Sequence, residues 1–223
     1  MKYKAIFFDI DDTVFDYEAS ARIAMGEACA DMGIEFKEEY FRGFMHADTK
    51  FWNMQKAGIL TISEVMDRRA DETARVMGSP ERADEFRDIF LIKMRTPAVP
   101  IDGAEDIIRY AHGRGYRLCT ASNGFLIMQT SRLKNSGLSQ YFSDIFVSDD
   151  LGYEKPDPRF LYEALSRCGL SAADVLMVGD SRETDIKVAE SAGMDCCWFD
   201  RLNTGDTAGN FTITALSQLK NYI

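Results

Sequence analysis

The sequence predicts an α/β protein in which a parallel β-sheet carries helices on its faces and an all-helical segment is inserted after the first strand. An uninterrupted apolar run at residues 6–8 is typical of a strand that is buried on both faces. Apolar residues then recur at helical spacing from residue 16 to about residue 95. Helical and strand patterns alternate from Pro97 onward, which indicates a parallel sheet.

Size and charge limit the kinds of partner that this chain binds. Its 223 residues are enough for one core domain with a smaller inserted domain. Hydrophobic residues make up 46% and charged residues 28%, which is typical of a globular enzyme. The formal net charge of −10 repels phosphodiester backbones and anionic lipid headgroups. We therefore expect neither a nucleic-acid polymer nor a membrane as partner, whereas a small anion can bind beside local cations.

The cysteine pattern favours reduced thiols. The five cysteines are odd in number and contain no CxxC pair, so they suggest neither a disulfide framework nor a zinc site. They are Cys29, Cys119, Cys168, Cys196 and Cys197. The chain starts directly with a strand pattern, without a secretory apolar region, and no apolar stretch approaches membrane-spanning length. We expect a cytoplasmic protein.

The predicted first strand ends in a group of carboxylates. Asp9, Asp11 and Asp12 follow the apolar run within four residues. The carboxyl end of a strand in an open α/β sheet faces the crevice in which ligands bind. Anionic side chains crowded there are costly unless a metal ion or a general-acid role compensates. A run of aspartates in a turn is equally explained by solvated turn chemistry, so the rest of the chain has to decide.

The helical insert separates this strand from the rest of the sheet. Four amphipathic stretches with short breaks between them predict a four-helix bundle at residues 16–96. The α/β core then comprises residues 1–15 and 97–223. The insert begins directly after the acidic strand end, where a lid over a catalytic crevice is placed.

The core segment contains the remaining predicted strands. They lie at residues 116–121, 145–147, 175–178 and 196–199. Asp157 and Pro158 predict an N-cap followed by proline in the first turn of a helix that runs to Cys168. The tail is predicted to close with an amphipathic helix at residues 216–222.

Polar side chains follow four of the predicted strands. They are Asp9 with Asp11, Ser122 with Asn123, Lys155, and Asp180 with Asp185. Each has an ordinary explanation as a helix cap, a turn residue or a surface charge. Because the carboxyl ends of parallel strands meet at one edge of the sheet, the four together predict a single site.

The order and types of these residues resemble the haloacid dehalogenase-like (HAD) hydrolase superfamily over the whole chain. The Asp-x-Asp-x-Thr motif is matched at residues 9–13, the Ser or Thr after the second strand at Ser122, and the Lys-Pro-Asp-Pro motif at residues 155–158. The Gly-Asp motif with a second aspartate downstream is matched at residues 179–185. Asp12 stands where many members have glycine. The resemblance implies a Rossmann-like core with an inserted helical cap of the C1 kind.

The resemblance also implies a chemistry. Phosphoryl transfer needs an in-line nucleophile, neutralisation of the phosphoryl oxygens and a proton for the leaving oxygen. Asp9 is expected to be the nucleophile that forms an aspartyl-phosphate, and Asp11 the general acid and base. Two carboxylates so close cannot both ionise cheaply, which favours one being held protonated.

Mg²⁺ is the expected cofactor. Its expected ligands are the side chains of Asp9 and Asp180 and the main-chain carbonyl of Asp11. The expected phosphate-binding groups are Lys155, the Ser122 hydroxyl and main-chain N–H groups at Asn123 and Gly124. Asp185 is expected to orient Lys155 or a metal-bound water.

Shorter stretches resemble the pyrimidine 5′-nucleotidase group of this superfamily. They are residues 51–53, 58–61, 122–125 and 196–199. This resemblance implies a nucleoside 5′-monophosphate phosphatase, for which an aromatic-rich helix with Phe44, Phe51 and Trp52 offers a stacking surface. The same stripe also fits the core of the helical bundle, which is the favoured interpretation for any one of these residues.

Several alternatives stay open at this point. A phosphosugar phosphatase or a β-phosphoglucomutase-like enzyme matches the same motifs. A haloacid dehalogenase shares the nucleophile but lacks the second carboxylate, which is present here as Asp11. A non-catalytic phosphoacceptor or interaction domain carries its acceptor aspartate on a later strand than its acidic pair, whereas Asp9 belongs to the first strand.

Overall fold

The computed structural model describes residues 2–223 and is built on a six-stranded sheet whose strands are all parallel. The strands are β1 (Ala5–Phe8), β2 (Arg117–Ser122), β3 (Phe142–Val147), β4 (Val175–Gly179), β5 (Asp195–Phe199) and β6 (Phe211–Ile213). Their spatial order is β3-β2-β1-β4-β5-β6. The predicted fold class is confirmed.

Strand β1 lies in the middle of this sheet and is buried on both faces. It pairs with β2 on one side and with β4 on the other, so that Phe8 lies opposite Thr120 and Val178. Its side chains alternate between the two apolar cores, Phe8 in one and Phe7 in the other. The strand order changes direction between β1 and β4, and ligands bind beside such a point at the carboxyl ends of the strands.

Helices cover both faces of the sheet. One face packs against α5 (Ala104–Gly113) and α6 (Leu126–Asn135), and the other against α8 (Arg159–Cys168) and α9 (Lys187–Ser191). A short helix, α7 (Ser148–Leu151), follows β3. The two cores are separate because a parallel sheet presents an apolar surface on each side.

The inserted segment is a compact helical unit. It contains α1 (Tyr17–Asp31), α2 (Glu38–Lys56), α3 (Ile62–Val76), a 3₁₀ turn (Pro80–Arg82) and α4 (Ala83–Lys93). Helix α3 begins with a capping box, in which Thr61 and Glu64 satisfy each other's main-chain N–H groups.

Aromatic rings form the core of the helical unit. Phe44 lies between Phe41, Phe86 and Phe90, at ring-centroid distances of 4.8–6.4 Å. Phe44 is completely buried in this cluster. It therefore serves the core of the bundle, and of the three aromatic residues proposed for base stacking only Trp52 is partly exposed.

A buried ion pair lies beside these rings. Arg69 Nη1 donates to Asp48 Oδ1 at 2.6 Å, and the two side chains are 5% and 8% exposed. The guanidinium carbon lies 5.0 Å from the centroid of the Phe44 ring and 5.2 Å from that of Phe90. The aromatic faces thus add to the attraction that Asp48 supplies to this buried cation.

The chain divides into one unit that runs to Tyr17 and resumes with Ala98–Ile223, and a second unit of Glu18–Pro97. The first division falls two residues later than the sequence prediction, and the second one residue later. Main-chain hydrogen bonds account for the first of these differences, because Asp16 N–H donates to Val99 O and Ile101 N–H to Val14 O. These bonds keep residues 14–16 in the α/β unit.

The tail differs from its prediction. Strand β6 was not predicted. The predicted α-helix at residues 216–222 is a 3₁₀ helix over Leu216–Asn221. Its two buried leucines are three residues apart, which matches the three residues per turn of that helix. Within residues 2–223, none of the helices combines the length and apolarity that crossing a bilayer requires.

Candidate active site

Asp9 follows β1 directly and is held at the end of the sheet. Its main-chain N–H donates to Val178 O at 2.9 Å, which continues the pairing with β4. The residue is 7% exposed. Burial raises the pKa of Asp9, and the charge of Lys155 opposes that rise. A cation beside Asp9 therefore favours the carboxylate that a nucleophile requires.

Lys155 lies buried between two carboxylates. Its Nζ donates to Asp9 Oδ1 at 2.7 Å, to Asp185 Oδ1 at 2.5 Å and to Ala121 O at 2.6 Å. The residue is only 2% exposed. Burial alone would lower the pKa of Lys155, but the charges of Asp185 and Asp9 raise it above its ordinary value. The ammonium group thus joins the end of β1 to the segment after β4.

Asn123 fixes the main chain of Lys155. Its Nδ2 donates to Lys155 O at 2.8 Å, and Lys155 N–H donates to Asn123 Oδ1 at 2.8 Å. The neighbouring Gly124 N–H donates to Ser148 Oγ at 3.0 Å. Of the main-chain groups that the sequence suggested for phosphate binding, Gly124 is therefore engaged within the protein, and the Asn123 side chain serves Lys155.

Ser122 closes β2 and is 1% exposed. Its hydroxyl oxygen accepts a hydrogen bond from Gln129 Nε2 at 3.2 Å. Because β2 is the parallel neighbour of β1, this hydroxyl lies at the same edge of the sheet as Asp9.

Asp180 follows β4 and is oriented by two groups from other segments. Thr13 Oγ1 donates to Asp180 Oδ1 at 3.2 Å. Trp198, on β5, donates from Nε1 to the main-chain oxygen of Asp180 at 2.7 Å. In the sequence, Trp198 was singled out only as part of a stretch that resembles the pyrimidine 5′-nucleotidase group. In the structure, its indole N–H holds the main chain of Asp180 in place.

Asp185 lies against a glycine that leaves room for it. Besides accepting from Lys155, it accepts from Ser181 N–H through Oδ2 at 3.0 Å. A Cβ atom added at Gly179 would lie 2.3 Å from Oδ2 and 2.5 Å from Cβ of Asp185. Glycine is therefore required at position 179 for this aspartate to reach Lys155.

Three of these carboxylates can hold a metal ion. Asp9, Asp180 and Asp185 each offer one oxygen atom, and the three atoms lie within 4.8 Å of one another. With Lys155 protonated, the four side chains carry a formal charge of −2, which a divalent cation neutralises. Carboxylate oxygens are hard ligands of the kind that Mg²⁺ prefers. The donor set fits magnesium.

Asp11 has partners that the sequence did not reveal. Its Oδ1 accepts from Arg132 Nη1 at 2.6 Å, and its Oδ2 accepts from Gln129 Nε2 at 3.0 Å. Gln129 and Arg132 both lie on α6. The only signal in the sequence was their spacing of three residues, which places them on one side of the helix.

The backbone conformation at residue 12 accommodates an aspartate where many members of the superfamily have glycine. Its φ is 61°, in the left-handed region, where aspartate is better tolerated than most side chains. Its carboxylate accepts from Tyr17 N–H at 3.3 Å and pairs with Arg201, which also pairs with Asp16. The arginine thus stabilises the loop that leads from β1 to the helical unit.

The fold and the site together define a class of protein: a parallel-sheet α/β core with paired carboxylates, a serine and a buried lysine at the carboxyl ends of its strands. The chain belongs to the haloacid dehalogenase-like hydrolase family, whose model, described as "Hydrolase: haloacid dehalogenase-like hydrolase", matches residues 3–193. It is therefore an enzyme of the hydrolase class, and the resemblance seen in the sequence is confirmed.

Relatives agree with this assignment over 90–100% of the chain. The pyrimidine 5′-nucleotidase PynA of Streptococcus pneumoniae is 28% identical over 90% of this chain and 85% of its own. The pyrimidine 5′-nucleotidase YjjG of Escherichia coli is 27% identical over 100% of this chain and 99% of its own. A crystal structure of the HAD-hydrolase YfnB of Bacillus subtilis, bound to magnesium, matches with a TM-score of 0.91 and 27% identity, over 100% of this chain and 99% of that one.

Replacement of Gly179 by alanine tests the packing of the site. The new methyl group would overlap Asp185, so we expect Gly179→Ala to lower the free energy of unfolding by about 1–3 kcal/mol, the usual cost of overpacking. Denaturant unfolding followed by circular dichroism measures this change. Gly113→Ala is the matched control, because nothing lies within 4 Å of its added Cβ.

The same experiment identifies the source of the cost. If the overlap with Asp185 is responsible, Asp185→Gly, which removes every side-chain atom that the new methyl group would meet, should destabilise the Gly179→Ala protein less than it destabilises the wild type. Equal effects in both backgrounds would contradict this account.

Proposed function

We propose that the protein is a Mg²⁺-dependent phosphomonoesterase that acts through an aspartyl-phosphate on Asp9. The observation that carries this proposal is the cluster of Asp9, Lys155, Asp180 and Asp185 at the carboxyl ends of β1 and β4. It combines a buried nucleophile, a fixed cation and a set of metal ligands in one place, which are the components that phosphoryl transfer requires.

The proposed metal ligands are the side chains of Asp9 and Asp180 and the main-chain carbonyl of Asp11. Mg²⁺ bound there would neutralise charge on the phosphoryl oxygens. Both oxygens of Asp185 already accept hydrogen bonds, from Lys155 and Ser181. This favours its assignment as the residue that orients Lys155.

Groups of the protein itself carry out the attack on phosphorus, the proton transfers and the binding of the phosphoryl oxygens. Asp9 attacks phosphorus and forms the oxygen–phosphorus bond, while the bond from phosphorus to the leaving oxygen breaks and its electron pair stays on that oxygen. Asp11 donates a proton to the leaving oxygen, and in the second half-reaction takes a proton from the water that hydrolyses the aspartyl-phosphate. Lys155, the Ser122 hydroxyl and the Asn123 main-chain N–H bind phosphoryl oxygens.

We infer that the substrate is a nucleoside 5′-monophosphate, with pyrimidine nucleotides preferred. The support comes from the two relatives that are named pyrimidine 5′-nucleotidases and from the stretches that resemble that group. The motifs of the α/β unit bind only the phosphoryl group, so selectivity depends on other residues. Of the aromatic residues that the sequence offered for stacking, Phe44 and Phe51 are buried and Trp52 is partly exposed.

Removal of the nucleophile tests the covalent mechanism. We expect Asp9→Asn to lower turnover by several powers of ten, because the amide keeps the shape but cannot attack phosphorus. Steady-state hydrolysis of p-nitrophenyl phosphate measures this loss. Asp48→Asn makes the same replacement at another buried, ion-paired aspartate and should retain activity. Residual activity of Asp9→Asn above about one per cent would argue against Asp9 as nucleophile.

Removal of the metal tests the cofactor. We expect activity to vanish in EDTA and to return with Mg²⁺, whereas Ca²⁺ should inhibit because it prefers more ligands at longer distances. Titration of the EDTA-treated protein with Mg²⁺, followed by calorimetry, should give one binding event that Asp180→Ala weakens. Full activity in the presence of the chelator would eliminate the metal from the proposal.

Substrate preference is tested by a direct comparison. We expect kcat/KM for UMP and dTMP to exceed the values for AMP, glucose 6-phosphate and β-glucose 1-phosphate. A hexose phosphate that led by tenfold, or about 1.4 kcal/mol in transition-state binding, would replace the nucleotidase assignment with a sugar phosphatase. Conversion of β-glucose 1-phosphate into its 6-phosphate would identify a mutase.

A further inference from the structure

Two buried polar side chains on α6 contact the site but have no part in the mechanism described so far. Gln129 is 1% exposed, and Arg132 is completely buried. Helix α6 begins four residues after Ser122 and packs against the same apolar core as Phe8. Burial of an arginine is costly unless its charge is paired. The position of Arg132 therefore requires an explanation.

The two side chains hold Asp11 by both of its carboxylate oxygens. Arg132 donates to Oδ1 at 2.6 Å and Gln129 to Oδ2 at 3.0 Å. Arg132 Nη1 also donates to Gln129 Oε1 at 3.1 Å. The guanidinium carbon lies 5.1 Å from the centroid of the Phe15 ring, which limits its movement. Three hydrogen bonds and an aromatic contact thus fix the rotation of the Asp11 carboxylate.

Gln129 also reaches the phosphate-binding side of the site. Its Nε2 donates to Ser122 Oγ at 3.2 Å as well as to Asp11 Oδ2. One amide group therefore contacts both the carboxylate proposed as acid and base and the hydroxyl proposed to bind a phosphoryl oxygen.

The ion pair of Arg69 and Asp48 in the helical unit provides a comparison for the ion pair of Arg132 and Asp11. The comparison distinguishes a residue that positions a reactive group from one that only stabilises the fold. Arg69 donates to Asp48 at 2.6 Å and lies 5.0 Å from the Phe44 ring, which matches the geometry of Arg132 with Asp11 and Phe15. Asp48 is 8% exposed, whereas the Asp11 side chain is 29% exposed. The α6 network therefore ends in a carboxylate that remains accessible, as a group that meets substrate must be.

We propose that Arg132 and Gln129 are positioning residues that orient Asp11 toward the leaving oxygen of a phosphomonoester. This inference rests on the proposed function. Oδ1 stays with the guanidinium, and Oδ2, which accepts from the neutral amide, carries the proton. That proton passes to the leaving oxygen as the phosphorus–oxygen bond breaks, and the water consumed in the second half-reaction returns one to Asp11.

The test compares two phosphate esters that differ in their need for a proton. p-Nitrophenolate leaves readily without protonation, whereas the alkoxide of benzyl phosphate requires it. Because kcat/KM reports on the steps through phosphorus–oxygen cleavage, we expect Arg132→Lys to lower kcat/KM for benzyl phosphate by roughly 10–100-fold. The value for p-nitrophenyl phosphate should change by less than about threefold. Gln129→Met should shift the ratio in the same direction.

Two controls distinguish this role from a general disturbance. Arg69→Lys alters the matched ion pair in the helical unit and should leave the ratio of the two kcat/KM values unchanged. In the Asp11→Asn background, Arg132→Lys should have no further effect on the ratio, because its contribution passes through Asp11. Circular dichroism and thermal unfolding establish that each variant is folded. If Arg132→Lys fails to fold, Gln129→Met, which keeps the ion pair, decides the question.

The outcomes separate the two proposals. An equal loss on both esters, or an effect of Arg132→Lys on the ratio that persists without the Asp11 carboxylate, would overturn the positioning role and leave the phosphomonoesterase assignment intact. A wild-type protein that hydrolyses neither these esters nor UMP in the presence of Mg²⁺ would overturn the proposed function and this role with it.

Discussion

The buried ammonium group of Lys155 is the interaction on which the rest of the site depends. A cation that is 2% exposed is tolerable only because Asp9 and Asp185 accept from it directly. Each neighbouring feature maintains this contact: Asn123 holds the lysine main chain, and Gly179 leaves room for Asp185. Removal of one partner from such a group leaves an uncompensated buried charge, which typically costs about 3–5 kcal/mol. The geometry of Asp9 and the stability of the α/β unit therefore share one cause.

Two carboxylates crowd together after β1, and their mutual repulsion was expected to favour one being held protonated. Neighbouring cations also lower this repulsion. In the structure each has its own cation, Lys155 for Asp9 and Arg132 for Asp11. The two cations come from different segments, the loop before α8 and helix α6. Neighbouring carboxylates in the chain are thereby given separate electrostatic environments, which is the condition for separate chemical roles.

Much of the fold could be predicted because its signals are local. The apolar run at β1 and the polar residues at four strand ends are visible along the chain, and the sheet brings those residues to one edge as predicted. Arg132 and Gln129 could not be predicted, because an amphipathic helix pattern does not show which polar side chains on its boundary turn inward. The hydrogen bond from Trp198 to the Asp180 carbonyl depends on the pairing of β4 with β5, which no local pattern contains. The catalytic roles of the site residues remain predictions.

The central position of β1 in the sheet has a consequence for biosynthesis. β1 is made first, but its neighbours begin only at Arg117 and Val175. The helical unit, Glu18–Pro97, is continuous in sequence and is completed before either neighbour exists. At ordinary rates of translation, synthesis of the chain from β1 to residue 117 takes on the order of 5–20 s. During that interval the apolar strand has no partner in its own sheet, so the nascent chain carries an aggregation-prone segment that chaperones are suited to shield.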